Sequence, residues 1–233
     1  MYVNLFKKNQ RGGGNFGWLQ ANYYYSFNNW YNPKRMGFGS LLVINNDTIN
    51  PNQGFGFHPH DNMEIITIPI SGELLHEDTI ENFSSVIKPG EIQVISAGSG
   101  MFHSEFNNSK TQDLELFQIW IKPDVFNVKP KYNQIKFDLN QKFQYLISPN
   151  LQKTVSINQK AFISRLLLEE NETFEYKKNK SELLVAFLVV EGEIKIQDYI
   201  VEKRDILEIS QSKDNIELFA NQKSEILIFE ISK

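Results

Sequence analysis

Short runs of Val, Ile, Leu, Phe and Tyr, each bounded by Gly, Pro, Asn or Asp, recur from about residue 40 to the end of the chain. They read SLLVIN, EIITIPI, EIQVIS and LELFQIWI, then SINQKAFISRLLL, LLVAFLVV, IKIQDYIV, DILEIS and EILIFEI. β-Branched and aromatic side chains pack well on a pleated surface, and runs this short between turn formers suit strands better than helices. Helical periodicity is weak throughout, so the chain is predicted to be all-β. The segment QKFQYLISPN, residues 141–150, is expected to be a helix or a loop, and it falls where a domain boundary would. Two domains follow, residues 1–140 and residues 141–233.

The two halves are also alike. ITIPISGELLHEDTIENFSSVIKPGEIQVIS can be laid over AFLVVEGEIKIQDYIVEKRDILEIS, so that Gly72 falls on Gly192 and Ser96 on Ser210 once the second copy is given a shorter hairpin. A degenerate repeat of β units predicts two related barrels. Their chemistry differs, because His58, His60, His76 and His103, the chain's four histidines, all lie in the first copy. At the same offsets HPH lands near Lys178 to Lys180 and His103 on Glu217, so no second metal site is expected.

Of 233 residues, 41% are hydrophobic and 13% aromatic, enough to build real cores. The formal net charge is −4 and Lys and Arg are scattered, which argues against nucleic acid or an anionic membrane as a partner. The absence of cysteine removes disulfides, thiolate nucleophiles and Cys-bound metal, and fits a reducing compartment. MYVNLFKKNQRGGGNFGW lacks the apolar core of a signal peptide, and nowhere do ~18 apolar residues run together. A cytoplasmic location is expected, with small molecules or proteins as partners. Two barrels in one chain can bury their mutual faces, so a monomer is expected.

GFGFHPHDNMEI puts His58 and His60 two residues apart, and AGSGMFHSEF repeats the spacing with His103 and Glu105. Residues i and i+2 of a strand share a face, so each pair would present its side chains side by side. The intervening chain is long enough for two or three hairpins to bring the pairs opposite each other. Three neutral imidazoles and a carboxylate suit Fe, Mn, Co, Ni, Cu or Zn. Around a six-coordinate ion they leave about two positions for water, dioxygen or a chelating substrate. Glu64 has the parity of His58 and His60 and enters as an alternative ligand, a partner orienting an imidazole, or a buried acid. His76, before an acidic turn and with no ligand neighbour, is expected in a surface or turn role. Glycines ahead of each pair would allow tight turns at the barrel mouth. RGGGNFG is expected to be a flexible N-terminal segment, and the aromatic cluster NYYYSFNNWY to pack between barrels rather than wall a pocket.

The stretch NWYNPKRMGFGSLLVINNDTINPNQGFGFHPHDNMEIITIPISGELLHEDT, continued by VIKPGEIQVISAGSGMFHSEFNNS and LELFQIWIKP, resembles the pirin family of the cupin superfamily. The match is dense over about residues 15 to 125. The resemblance implies two jelly-roll cupin barrels, the N-terminal one holding iron or another divalent metal and the C-terminal one degenerate. It implies that His58, His60, His103 and Glu105 are the ligands, favouring Glu105 over Glu64. Fe(II) is the first choice of metal, with Ni, Cu, Mn, Co or Zn as substitutes. It further implies a quercetin 2,3-dioxygenase, opening a flavonol or a similar aromatic, enolic substrate with dioxygen and releasing carbon monoxide. Glu105 would be the catalytic base that takes the substrate's hydroxyl proton. The alternative that the resemblance offers is a metal-binding regulator docking on a protein partner.

Overall fold

Each of the quoted apolar runs contains a strand, and the strands are divided between two units, each with its own pair of sheets. The computed structural model describes residues 3–80, 83–152, 154–210 and 215–233. Among them there is one 3-10 turn, Lys8–Gln10, and no α-helix. Among the described residues no helix is long and apolar enough to cross a membrane.

The chain opens with β1 (Val3–Phe6), which belongs to the second unit. The first unit spans Gly12–Asp138 with Ile157–Gln159. Its strands begin with β2 (Gly12–Asn15), β3 (Leu19–Tyr23), β4 (Leu41–Ile49), β5 (Gly54–His60), β6 (Glu64–Ser71) and β7 (Leu74–Asp78). They continue with β8 (Phe83–Ile87), β9 (Glu91–Ser96), β10 (Met101–Asn107), β11 (Leu114–Ile121) and β12 (Lys131–Lys136). One sheet runs β12-β9-β6-β11-β4-β3-β2 and the other β5-β10-β7-β8, antiparallel throughout. Leu19, Ile49, Leu114 and Leu116 from the first sheet pack against Leu74 and Ile87 from the second, as in a jelly-roll sandwich.

The second unit holds β13 (Phe143–Ile147), β14 (Phe162–Leu168), β15 (Thr173–Lys177), β16 (Leu184–Glu191) and β17 (Glu193–Ile196). It ends with β18 (Tyr199–Glu202), β19 (Ile206–Ile209), β20 (Asn215–Ala220) and β21 (Ser224–Ile231). Its sheets run β1-β19-β16-β21-β14-β13 and β15-β20-β17-β18. The repeat read from the sequence is therefore topological: β9-β6-β11-β4 corresponds to β19-β16-β21-β14, and β5-β10-β7-β8 to β15-β20-β17-β18. Gly72 and Gly192 both take positive φ, 79° and 85°, and a Cβ on either would lie under 3 Å from the facing backbone.

The interiors differ. In the second unit Leu166, Tyr176, Val185, Phe187, Ile216 and Leu218 fill the space between the sheets, whereas Glu175 and Glu217, directly paired across β15 and β20, are exposed. Among the described residues no group of His and carboxylate side chains suited to a metal lies in this unit.

Three local expectations are corrected. QKFQYLISPN contains β13, because Phe143 and Tyr145 pair with β14 and bury against its aromatic neighbours. RGGGNFG contains β2, since a strand without side chains can lie close to β3: a Cβ on Gly13 would sit 2.0 Å from the Ala21 carbonyl oxygen. Residues 3–11, counted with the first domain when the chain is divided at 140, lie with the second unit. β1 covers the edge of β19, Val3 and Leu5 pack on that unit's core, and Lys7 Nζ lies 3.0 Å from Asp205.

Candidate metal centre and its cavity

Antiparallel pairing of β5 with β10 sets His58 directly opposite His103 and His60 opposite Met101. The ring centroids of His58, His60 and His103 lie 4.4 to 4.9 Å apart, and one nitrogen from each falls within 4.8 Å of the others. A bulge in β5 opposite Ser104 shifts the register so that Glu105 pairs with Phe55. That extra residue is why Phe55 and His58, an odd number of positions apart, both line the same cavity while Phe57 is exposed.

The imidazoles are arranged as neutral donors. Nδ1 of His58 lies 2.8 Å from the Gly56 carbonyl, which only accepts, so Nδ1 carries the proton and Nε2 the lone pair. Burial, followed by the neighbouring His58, lowers His60 to about 4. Burial, then His58, His60 and His76, lowers His103 to about 2. Nε2 of His60 and both ring nitrogens of His103 are buried without a hydrogen-bond partner. Orphaned buried nitrogens are costly, and a divalent cation among them would take up their lone pairs, so the donor set fits a metal.

Glu105 is buried, and its carboxyl is held from three strands. Thr67 and Gln93 each donate to Oε1 at 3.3 Å, and Gln118 donates to Oε2 at 2.8 Å. Gln93, Thr67 and Gln118 are direct cross-strand neighbours on β9, β6 and β11, so one polar row crosses the sheet beneath Glu105. Burial, the largest influence, raises its proton affinity above the ordinary glutamate range. Glu105 groups within 4.8 Å with His103 and His76, while the three-histidine group is completed by His58 and His60; His103 belongs to both.

His76 corrects the expectation of a surface or turn role. It pairs with Glu105 across β7 and β10, is fully buried, stacks on Tyr132 and donates from Nε2 to Asp78 at 2.9 Å. Its other ring nitrogen, Nδ1, is buried without a hydrogen-bond partner. The signal was present in HED: His76 and Asp78 share the inward parity of a strand. Of the three roles open to Glu64, the structure shows the buried acid: it is 1% exposed and belongs to neither metal-binding group. The turn at residues 61–63 breaks its parity with His58, and its carboxylate accepts from Ser96 Oγ at 2.6 Å and Asn158 Nδ2 at 2.9 Å, away from the cluster.

The cluster opens into a cavity of about 430 Å³, walled by Trp18, Phe27, Phe55 and Trp120. Phe27 comes from the aromatic cluster expected only to pack, and it meets Trp120 edge-on at 5.4 Å. Two residues of β4 that sequence reasoning passed over, Asn45 and Asp47, line the same cavity.

Comparison with known proteins gives the chain's family. Residues 5–121 match the family model described as Pirin, and residues 145–231 that of the Quercetinase C-terminal cupin domain. The chain is 38% identical over 230 residues to the quercetin 2,3-dioxygenase of Escherichia coli K12, covering 98% of each chain. A putative quercetin 2,3-dioxygenase of Zymomonas mobilis is 34% identical and covers 93% of each. The crystal structure of the bacterial pirin YhhW from Escherichia coli in complex with nickel(II) superposes with a TM-score of 0.94 at 36% identity, covering 99% of both chains. A quercetin 2,3-dioxygenase from Acinetobacter baumannii shares the fold at a TM-score of 0.80 and 18% identity, covering 98% of this chain and 85% of its own. With two cupin domains in one chain and these relatives along nearly its whole length, the chain belongs to the pirin family.

Proposed function

We propose that the chain is a metal-dependent dioxygenase that opens the ring of a flavonol such as quercetin with dioxygen, with His58, His60, His103 and Glu105 as the metal ligands. The observation that carries this reading is that His58, His60 and Glu105 line one aromatic-walled cavity, with buried His103 within ligand distance of the other two imidazoles and of Glu105. Relatives named quercetin 2,3-dioxygenase support it. A cavity of about 430 Å³ lies within the roughly 300–1,000 Å³ of small-molecule sites.

A divalent first-row cation, Fe(II) first and Ni, Cu, Mn, Co or Zn in its place, would supply Lewis acidity toward adjoining hydroxyl and carbonyl oxygens, and every one of these but Zn could also act as a redox partner for dioxygen. The chain's own residues do the rest. The low proton affinities of His60 and His103 keep their lone pairs available at any physiological pH. Glu105, whose proton affinity burial has raised, takes the proton of the substrate's acidic hydroxyl. Its orientation is fixed by Gln118 at Oε2 and by Thr67 and Gln93 at Oε1. Trp18, Phe27, Phe55 and Trp120 hold the planar rings and exclude water.

The test is oxygen consumption by the iron-loaded protein with quercetin, run beside His103→Ala and Glu105→Gln with metal analysis of all three. Uptake with ring cleavage is expected in the wild type and is lost together with the metal in His103→Ala. Glu105→Gln should retain most of its metal and turn over at least ~100-fold more slowly. A fully metallated wild type that consumes no oxygen would sink the dioxygenase reading and favour a regulator that docks on a protein.

A further inference from the structure

Asn45 and Asp47 are polar, inward-facing and unused by the chemistry above. They alternate on β4 with Val43 and Ile49, and their cross-strand neighbours on β11 are Gln118 and Leu116. Asn45 is 3% and Asp47 6% exposed, yet both line the cavity. Oδ1 of Asn45 and Oδ1 of Asp47 are each buried without a hydrogen-bond partner. Burial, offset in part by the Asn22 backbone N–H and reinforced by Glu105, pushes the Asp47 carboxyl up to about 7.

The Asn22 N–H leaves Oδ1 of Asp47 unserved, and two buried oxygens lining one cavity without a donor, Oδ1 of Asn45 and Oδ1 of Asp47, destabilise the fold. Departures from folding rules of this kind collect where a ligand supplies the missing partner. The missing partner here is a donor, and the walls around it are aromatic: Trp18 and Phe55 meet edge-on at 5.1 Å beside it. A hydroxyl carried on an aromatic ring meets both requirements.

We propose that Asp47, assisted by Asn45, is a hydroxyl-recognition subsite on the β4 wall, taking hydrogen bonds from phenolic hydroxyls of an aromatic ligand whose chelating oxygens lie at the histidine cluster. The inference rests on the flavonol reading and deepens it by making Asp47 a specificity-determining residue. A pocket built to pair with a hydroxyl discriminates strongly against an analogue lacking it, because the acceptors are then left buried and unpaired.

The experiment compares quercetin with 3-hydroxyflavone. Both carry the adjoining hydroxyl and carbonyl, but only quercetin bears hydroxyls on its outer rings. Binding is read without turnover, under argon, from quenching of tryptophan fluorescence in the nickel(II)-loaded protein. The wild type should bind quercetin at least about ten-fold more tightly than 3-hydroxyflavone. Asp47→Ala should weaken quercetin by about ten-fold and leave 3-hydroxyflavone within about two-fold. Asp47→Asn, isosteric and still bearing an acceptor oxygen, should fall between them, and it guards against a folding defect in the alanine variant. Equal weakening of both ligands, or no weakening of quercetin, overturns the subsite. A wild type that binds both flavonols equally well overturns the subsite alone, and one that binds neither overturns the flavonol reading and this inference with it.

Discussion

Replacing Asp47 with Asn should stabilise the metal-free protein, by an amount that depends on pH. An ordinary aspartate ionises at 3.8, whereas burial moves Asp47 to about 7. Between those values the folded state holds a proton that the unfolded state has released, so stability falls as pH rises through that window. The displacement is about three pH units, and at about 1.4 kcal/mol per unit the ionised carboxylate costs about 4 kcal/mol above pH 7. Below 3.8 the carboxyl is neutral in both states and the cost vanishes. Asn mimics the neutral acid, so the stability difference between Asp47→Asn and wild type should be near zero at pH 4 and grow to about 2–4 kcal/mol at pH 8. Equilibrium urea unfolding of chelator-treated protein across this range measures it, and taking the difference cancels groups common to both chains. A difference that stays flat from pH 4 to 8 would refute the assignment of a buried carboxyl with an unpaired oxygen at this position.

Gly54→Ala should cost about 1–3 kcal/mol in urea unfolding and lower metal occupancy, because its Cβ would lie 2.2 Å from the Glu105 carbonyl oxygen and force β5 away from β10. His76→Phe keeps the stack on Tyr132 but removes the imidazole beside His103 and Glu105, and should weaken metal affinity by about ten-fold in a chelator competition. Phe187→Ala, at the fully buried centre of the second unit, should lose about 3–5 kcal/mol of stability while its metal content, measured on folded protein, stays at the wild-type level.

Much of the architecture was legible because the all-β class, the repeat and the His58, His60, His103 convergence rest on local signals. Apolar runs alternate with turn formers, and side chains two apart share a face. QKFQYLISPN was misread because Phe143 and Tyr145 are held in β13 by pairing with a strand that local pattern does not reveal. Parity failed wherever the ladder is interrupted. It placed Glu64 with His58 across a turn that resets the count, and it separates Phe55 from His58, which the bulge reunites. His76 is assigned to a surface or turn by its local sequence because its partners, Glu105 and Tyr132, approach from the distant strands β10 and β12.

The sequence by itself determined two β-rich halves and put every imidazole in the first, since composition and period-two spacing are properties of the chain. Only the tertiary structure decided which polar groups would be stranded inside. Gln93, Thr67 and Gln118 form a row that holds Glu105, while Asn45 and Asp47, on the next strand, face the cavity with unpaired oxygens. The physical reason is that register between distant strands, set by turns, bulges and core packing, fixes which donors reach which acceptors.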